Sequence, residues 1–105
     1  MYIQNDERRA MTREIKYYEA LREAQAQCLE SDRDVVVMGL GVPGPTGVFG
    51  TTKNLVDDYG PDRVFDMPSS ENAMTGMLLG ASSNGMRPIM VHMRVDFAVL
   101  SMEPL

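Results

Sequence analysis

A chain of 105 residues can hold one domain with a real core, and little more. Ten basic residues against fifteen acidic ones give a net charge of −5, so no basic face exists to hold nucleic acid without regard to sequence. The single cysteine, Cys28, excludes an internal disulfide and a metal cage built on thiolates.

The opening segment MYIQNDERRA is polar and carries acids. It has neither the apolar centre of a signal peptide nor the acid-poor composition of a transit peptide. No apolar run approaches membrane-spanning length. Residues 1–11 are therefore predicted to be a loose polar arm, residues 12–105 a folded domain, and the chain soluble and cytoplasmic.

From Thr12 to Leu29 the apolar spacing is helical. Tyr17, Leu21, Ala24 and Cys28 form one stripe beside Ala20, which predicts burial of that stripe, with Cys28 as a small apolar core residue. Glu19, Arg22, Glu23 and Gln27 are predicted to face away. The run VVVMG at 35–39 has the pattern of a strand buried on both faces. GLGVPGPTGVFGTT follows, with five glycines and two prolines in fourteen residues, and must be a loop. It lacks the Gly-Lys-Ser/Thr of a P-loop, and its Gly39, Gly41 and Gly44 fall one short of a dinucleotide fingerprint, so a connecting loop is the plainer reading.

TKNLVDDYGP reads as a short helix that Gly60 caps and Pro61 stops. RVFDM is a second short strand; Pro68 breaks it, and Ser69 or Ser70 can cap the next helix, from Glu71 to Ser83, which ends at Asn-Gly. RPIMVHMRVDF is predicted as a third buried strand, and FAVLSME opens another helix. The chain stops while still apolar, which suggests truncation or a surface completed by a partner. Helices alternating with strands predict an α/β, three-layer domain with a mainly parallel sheet, helices on both faces and right-handed crossovers.

In such sheets ligands bind beyond the carboxyl ends of the strands. That edge carries the glycine loop, the PSSE segment and the RVDF segment. Glu71 lies there, at the start of an otherwise small and apolar helix. Two readings compete. An acid in the first turn of a helix gains about 0.3–1 kcal/mol from the dipole. Yet the interior glycines Gly76 and Gly80 each cost about 1 kcal/mol of helix propensity, a cost commonly offset by close approach of another backbone. Such packing would carry Glu71 into an interface, where desolvation favours a neutral carboxyl of the kind acid–base work uses. His92, alone in its strand without cysteine or acid company, reads as a core or interface histidine, and the ten methionines as core filler and adaptable contact surface.

REIKYYEALREAQAQCLESDRDVVVMG, GPDRVFDMPSSENAMTGMLLGASSNGMRPIM and DFAVLSME resemble the amino-terminal half of the beta subunit of thiamine diphosphate-dependent 2-oxo acid dehydrogenases. These are the pyruvate and branched-chain types within the transketolase-like group. The resemblance spans residues 12–105 and is densest from Asp66 to Pro88. It implies a pyrimidine-binding domain in which Glu71 hydrogen-bonds a ring nitrogen of the cofactor's aminopyrimidine, with Ser70, Met93, Val95 and Phe97 around the ring. It implies oxidative decarboxylation of a 2-oxo acid with transfer of the acyl group to a lipoyl arm. Implied partners are an alpha subunit holding the diphosphate and Mg2+, a second beta subunit in an alpha2beta2 heterotetramer, and a lipoyl-bearing acyltransferase, with no metal site, nucleic acid or membrane on this chain. As a fragment it would be inactive alone.

The sequence departs from the family pattern in three places. Gly39-Leu40-Gly41-Val42 stands where relatives commonly read Gly-Glu-Asp-Val, Val91 replaces a common acid, and Met93-Arg94-Val95 replaces a segment that often supplies an aromatic. A non-catalytic assembly module of the same fold, or another transketolase-type enzyme such as a sugar synthase, are the alternatives.

Overall fold

The computed structural model describes residues 14–102; the polar arm expected at 1–11 lies outside the described residues, as do the last three positions. The centre of the fold is β1 (Val35–Met38), whose four side chains are all buried. β2 (Val64–Phe65) and β3 (Arg87–Met90) flank it in the order β2-β1-β3, both parallel to it. Val37 stands opposite Val64 and Ile89, and Met38 opposite Phe65 and Met90. Among the described residues there are four helices: α1 (Tyr17–Ser31), α2 (Leu55–Tyr59), α3 (Glu71–Ser83) and α4 (Val95–Val99).

Alternation along the strands sends Val35, Val37 and Ile89 to one face and Val36, Met38 and Met90 to the other. On the first face Leu29 of α1, Val42 and Val48 of the 39–54 loop, Leu55 of α2 and Val64 form one closed core. The second face lies under α3, whose Thr75 hydroxyl donates to the Met90 sulfur at 3.4 Å. The three-layer parallel α/β arrangement is thus the one expected.

α1 is rotated relative to the expectation. Tyr17 (82% exposed), Leu21, Ala24 and Cys28 point outward, and the inward side carries Leu29 and Ala26 with Arg22 and Gln25. The physical reason is the loop beneath. Its carbonyls need donors, and Arg22 Nε donates to Lys53 O (2.9 Å) while Gln25 Nε2 donates to Thr51 O (3.1 Å). Arg22 also pairs with Asp58 of α2 at 2.9 Å. Cys28 is accordingly exposed, not a core residue.

The glycine loop is more than a connector. Val42 and Val48 are buried in it, and the Thr52 hydroxyl donates to Val42 O at 3.0 Å. Gly39 permits the closest approach. A side chain there would overlap the Val91 carbonyl, whose own amide donates to Met38 O at 2.8 Å.

Arg63, just before β2, ties three elements together. Its Nη2 donates to Leu29 O and Asp32 O, both at 2.7 Å, and its Nε to Val35 O at 3.2 Å. Leu29 O and Asp32 O, the latter also accepting from Val35 N at 3.2 Å, thus face a positive charge at the end of α1. Asp32 in turn accepts from Asp34 N at 2.9 Å and pairs with Arg87 at the start of β3. The Asp34 amide first, and the Arg87 guanidinium second, hold its carboxyl below the ordinary value.

β3 ends at Met90, seven residues earlier than predicted for a strand reaching Phe97, and it is half-exposed instead of buried. Among the described residues no strand pairs with its outer edge, and Pro88, Ile89 and Met90 are half-buried. His92 therefore follows the strand instead of lying within it. α4 begins at Val95, two residues earlier than expected.

Candidate functional site

α3 spans the predicted interval, with Ser70 at its N-cap and Asn84 at its C-cap, followed by Gly85 at φ 100°. The Ser70 side chain makes no capping hydrogen bond, so the expected side-chain cap is missing. What fixes the start of the helix is its first carbonyl. Glu71 O accepts from Thr75 Oγ1 at 2.7 Å and from the buried Ser101 Oγ, beyond α4, at 3.5 Å. Ser101 Oγ also stands 3.5 Å from His92 Nε2. Glu71 is thereby anchored by its backbone from α3 and from the segment after α4.

The Glu71 residue is 7% exposed. An acid placed only to complement the helix dipole gains by remaining hydrated, so burial favours the other reading. Among the described residues, no group donates a hydrogen bond to its carboxylate. On one side lies a tight pocket of about 10 Å3, room for about one water, walled by Leu40, Met67, Val91, His92, Met93 and Phe97. On the other side Ser70, Glu71 and Asn72 border an open cleft of about 450 Å3 with Val99 and Leu100 of the α4 end. Glu71 thus separates an apolar pocket from a solvent cleft, at the carboxyl end of the sheet.

Of the predicted site residues, Met93 and Phe97 meet Glu71 in the tight pocket and Ser70 meets it in the cleft. Val95 is 82% exposed and borders neither space. Arg94, also exposed, pairs with Asp96 at 3.2 Å. Met67 was not singled out from the sequence, although its place directly after β2 was the available signal. The tight pocket borders a residue from each of the three departures from the pattern it resembles, Leu40, Val91 and Met93.

The expected close packing of Gly76 and Gly80 does not occur among the described residues. A side chain at either would meet nothing within 4 Å. The reason is that α3 covers the sheet with its opposite side, through Thr75, and leaves the glycine side with Met77 exposed. Beside α3, Leu78, Leu79, Pro88, Met90, His92 and Ser101 line a further apolar cavity of about 310 Å3. No group of three or more histidines, cysteines or acids among the described residues could hold a metal ion.

A parallel α/β domain with a largely buried acid bordering a cleft at the strand tips is the class of structure that holds an organic ligand at its sheet edge. Residues 13–103 match the model of the family described as "Transketolase, pyrimidine binding domain", and the chain belongs to that family. It is 39% identical over 88 residues to the pyruvate dehydrogenase E1 component subunit beta of Chaetosphaeridium globosum, covering 84% of this chain and 27% of that protein. It is 40% identical over 88 residues to the chloroplastic E1 subunit beta-3 of Arabidopsis thaliana, covering 84% of this chain and 22% of that one. With the mitochondrial E1 subunit beta-1 of Oryza sativa subsp. japonica it shares 35% identity over 94 residues, 90% of this chain and 25% of that one. The chain spans about a quarter of the length of these relatives. The similarity to beta subunits of 2-oxo acid dehydrogenases is therefore as expected.

The cytoplasmic expectation is corrected by the same relatives. Those whose names carry a compartment are chloroplastic or mitochondrial, which supports an organellar place instead. A polar opening segment carries no compartment information that could outweigh this.

Proposed function

We propose that residues 12–105 form the pyrimidine-binding part of a beta-type subunit of a thiamine diphosphate-dependent 2-oxo acid dehydrogenase, working in an organelle. The residues present suit that cofactor. The Glu71 residue is largely buried, and its carboxylate lacks a donor among the described residues. It borders the open cleft of about 450 Å3 with Val99 and Leu100, space enough for a heterocyclic ring, while the tight pocket of about 10 Å3 lies behind it. When bound, thiamine diphosphate supplies the electron sink for decarboxylation. From the cleft side Glu71 would hold a proton at a ring nitrogen, with Ser70 bordering the approach and Met93 and Phe97 walling the tight pocket behind the carboxylate. In this reading the 2-oxo acid would lose carbon dioxide, and the disulfide of a lipoyl arm would accept the acyl group together with two electrons.

The diphosphate and its Mg2+ belong, in this reading, to an alpha-type partner, and a second beta-type chain completes an alpha2beta2 assembly. Support comes from the apolar side chains left in water on α3 and around α4, including Met77, Leu79, Val99, Leu100 and Met102. The fragment alone is inactive because it offers one wall of the cofactor site.

The observation that carries this reading is the largely buried Glu71 at the cleft, whose carboxylate has no donor among the described residues. In the assembled full-length complex, Glu71→Gln should lower decarboxylation by about 100-fold or more. Retention of full rate would refute the role.

A second reading is a non-catalytic assembly module, which Leu40 and Val91 favour because they leave Glu71 the only acid bordering its pocket. Calorimetric titration of the assembled complex with thiamine diphosphate and Mg2+ separates the two, since absence of binding selects the module. Another transketolase-type activity, such as sugar synthesis, would show in the products formed from the bound complex.

A further inference from the structure

The segment that leads into Glu71 starts with a second acid, Asp66, which the reading above does not use. One oxygen of its carboxylate, Oδ1, accepts from two backbone amides, Gly41 N at 3.0 Å and Met67 N at 2.8 Å. The two amides come from different connections: Gly41 from the loop after β1, and Met67 from the turn after β2. Each adjoins or belongs to a wall of the tight Glu71 pocket, Leu40 on the loop side and Met67 on the other. Gly41 takes φ 82°, a conformation that suits glycine and that presents its amide toward Asp66. The Asp66 carboxylate therefore spans the two strand ends between which the pocket lies.

We infer that Asp66 is a positioning residue for Glu71, acting through Leu40 and Met67, which wall the tight pocket behind Glu71, without touching the ring. The inference rests on the proposed function of Glu71. A single side-chain oxygen has two lone pairs, and one shared by two amides fixes their spacing whether or not it is charged. Loss of the clamp frees the loop carrying Leu40 and the turn that sets the first residue of α3. A displacement of about 1 Å in such a wall is enough to cost an ordered contact much of its effect. Gly39 limits the loop from the other end, because the Val91 carbonyl leaves no room for it to shift inward.

The test uses the full-length chain in its assembled complex, with Asp66→Ala and Asp66→Asn titrated with thiamine diphosphate and Mg2+ by calorimetry. Asp66→Ala should weaken binding about tenfold, while Asp66→Asn, whose amide oxygen still accepts, should stay within about threefold of wild type. Hydrogen exchange at the Gly41 and Met67 amides should accelerate in Asp66→Ala, while the β1 amides of Val36 to Met38 and the thermal midpoint change little. Wild-type binding with Asp66→Ala indistinguishable from it overturns the role of Asp66 and leaves that of Glu71 standing. Loss in Asp66→Asn equal to that in Asp66→Ala also overturns it, because the charge and not the clamp would then be at work. A wild-type complex that takes up no thiamine diphosphate overturns the reading of the pocket and this role with it.

Discussion

On one face of the sheet, Val35 and Val37 lie beneath α1, the 39–54 loop and α2, in a core whose central side chains are all buried. On the other, Val36, Met38 and Met90 lie beneath α3, with a cavity of about 310 Å3 alongside and Met77, Leu79, Val99 and Leu100 in water. The first face is closed by its own chain. The second leaves glycines and apolar side chains free, and it is the side on which Glu71 sits. The stability of the domain comes from the closed face, and its capacity to bind comes from the open one.

Substitutions can break or sharpen that contrast. The largest stability loss should follow Leu55→Ala on the closed face, about 3 kcal/mol by chemical denaturation of the full-length chain, because Leu55 is fully buried. Arg63→Ala should cost about 2 kcal/mol, since Leu29 O and Asp32 O would lose a charged donor at the end of α1. On the open face Met77→Ala should change the stability of the unassembled chain by less than about 0.5 kcal/mol while weakening assembly, as sedimentation velocity would show. Equal losses at Leu55 and Met77 would erase the distinction between the faces.

The smallest effect is electrostatic. The Asp32 carboxyl is held below its ordinary value in the fold, chiefly by the Asp34 amide and then by Arg87. A carboxyl lowered in the folded state binds fewer protons there than in the unfolded chain. Its contribution is therefore fully present above the unfolded value near 3.8 and fades as pH falls through the lower folded value. Asp32→Asn should lower stability near neutral pH, where the contribution is present, and change little at pH below the folded value, so the acid limb of a stability–pH curve becomes flatter.

Much of this was legible from residue patterns. α3 was readable to the residue, because Pro68 and Ser70 mark its start and Asn84-Gly85 its end. β1 was readable as a continuous β-branched run, and the parallel α/β order followed from alternation. The inward face of α1 was not. Its apolar stripe suggested Leu21 and Cys28, but unpaired loop carbonyls selected Arg22 and Gln25, a polar demand that hydrophobic spacing does not register. The length of β3 was overread for a related reason: apolar residues continue past Met90, yet the half-exposed edge ends there. At the site, Glu71 stood out by chemistry, whereas Asp66 and Met67 matter through distances that only the folded chain displays.

The most direct measurement is nuclear magnetic resonance of thiamine diphosphate labelled at the aminopyrimidine ring nitrogen, bound to the assembled full-length complex with either Glu71 or Glu71→Gln. A hydrogen bond between Glu71 and that nitrogen predicts a clearly displaced resonance in the wild-type complex that moves back in the variant. Identical resonances in the two complexes, with the cofactor bound in both, would contradict it.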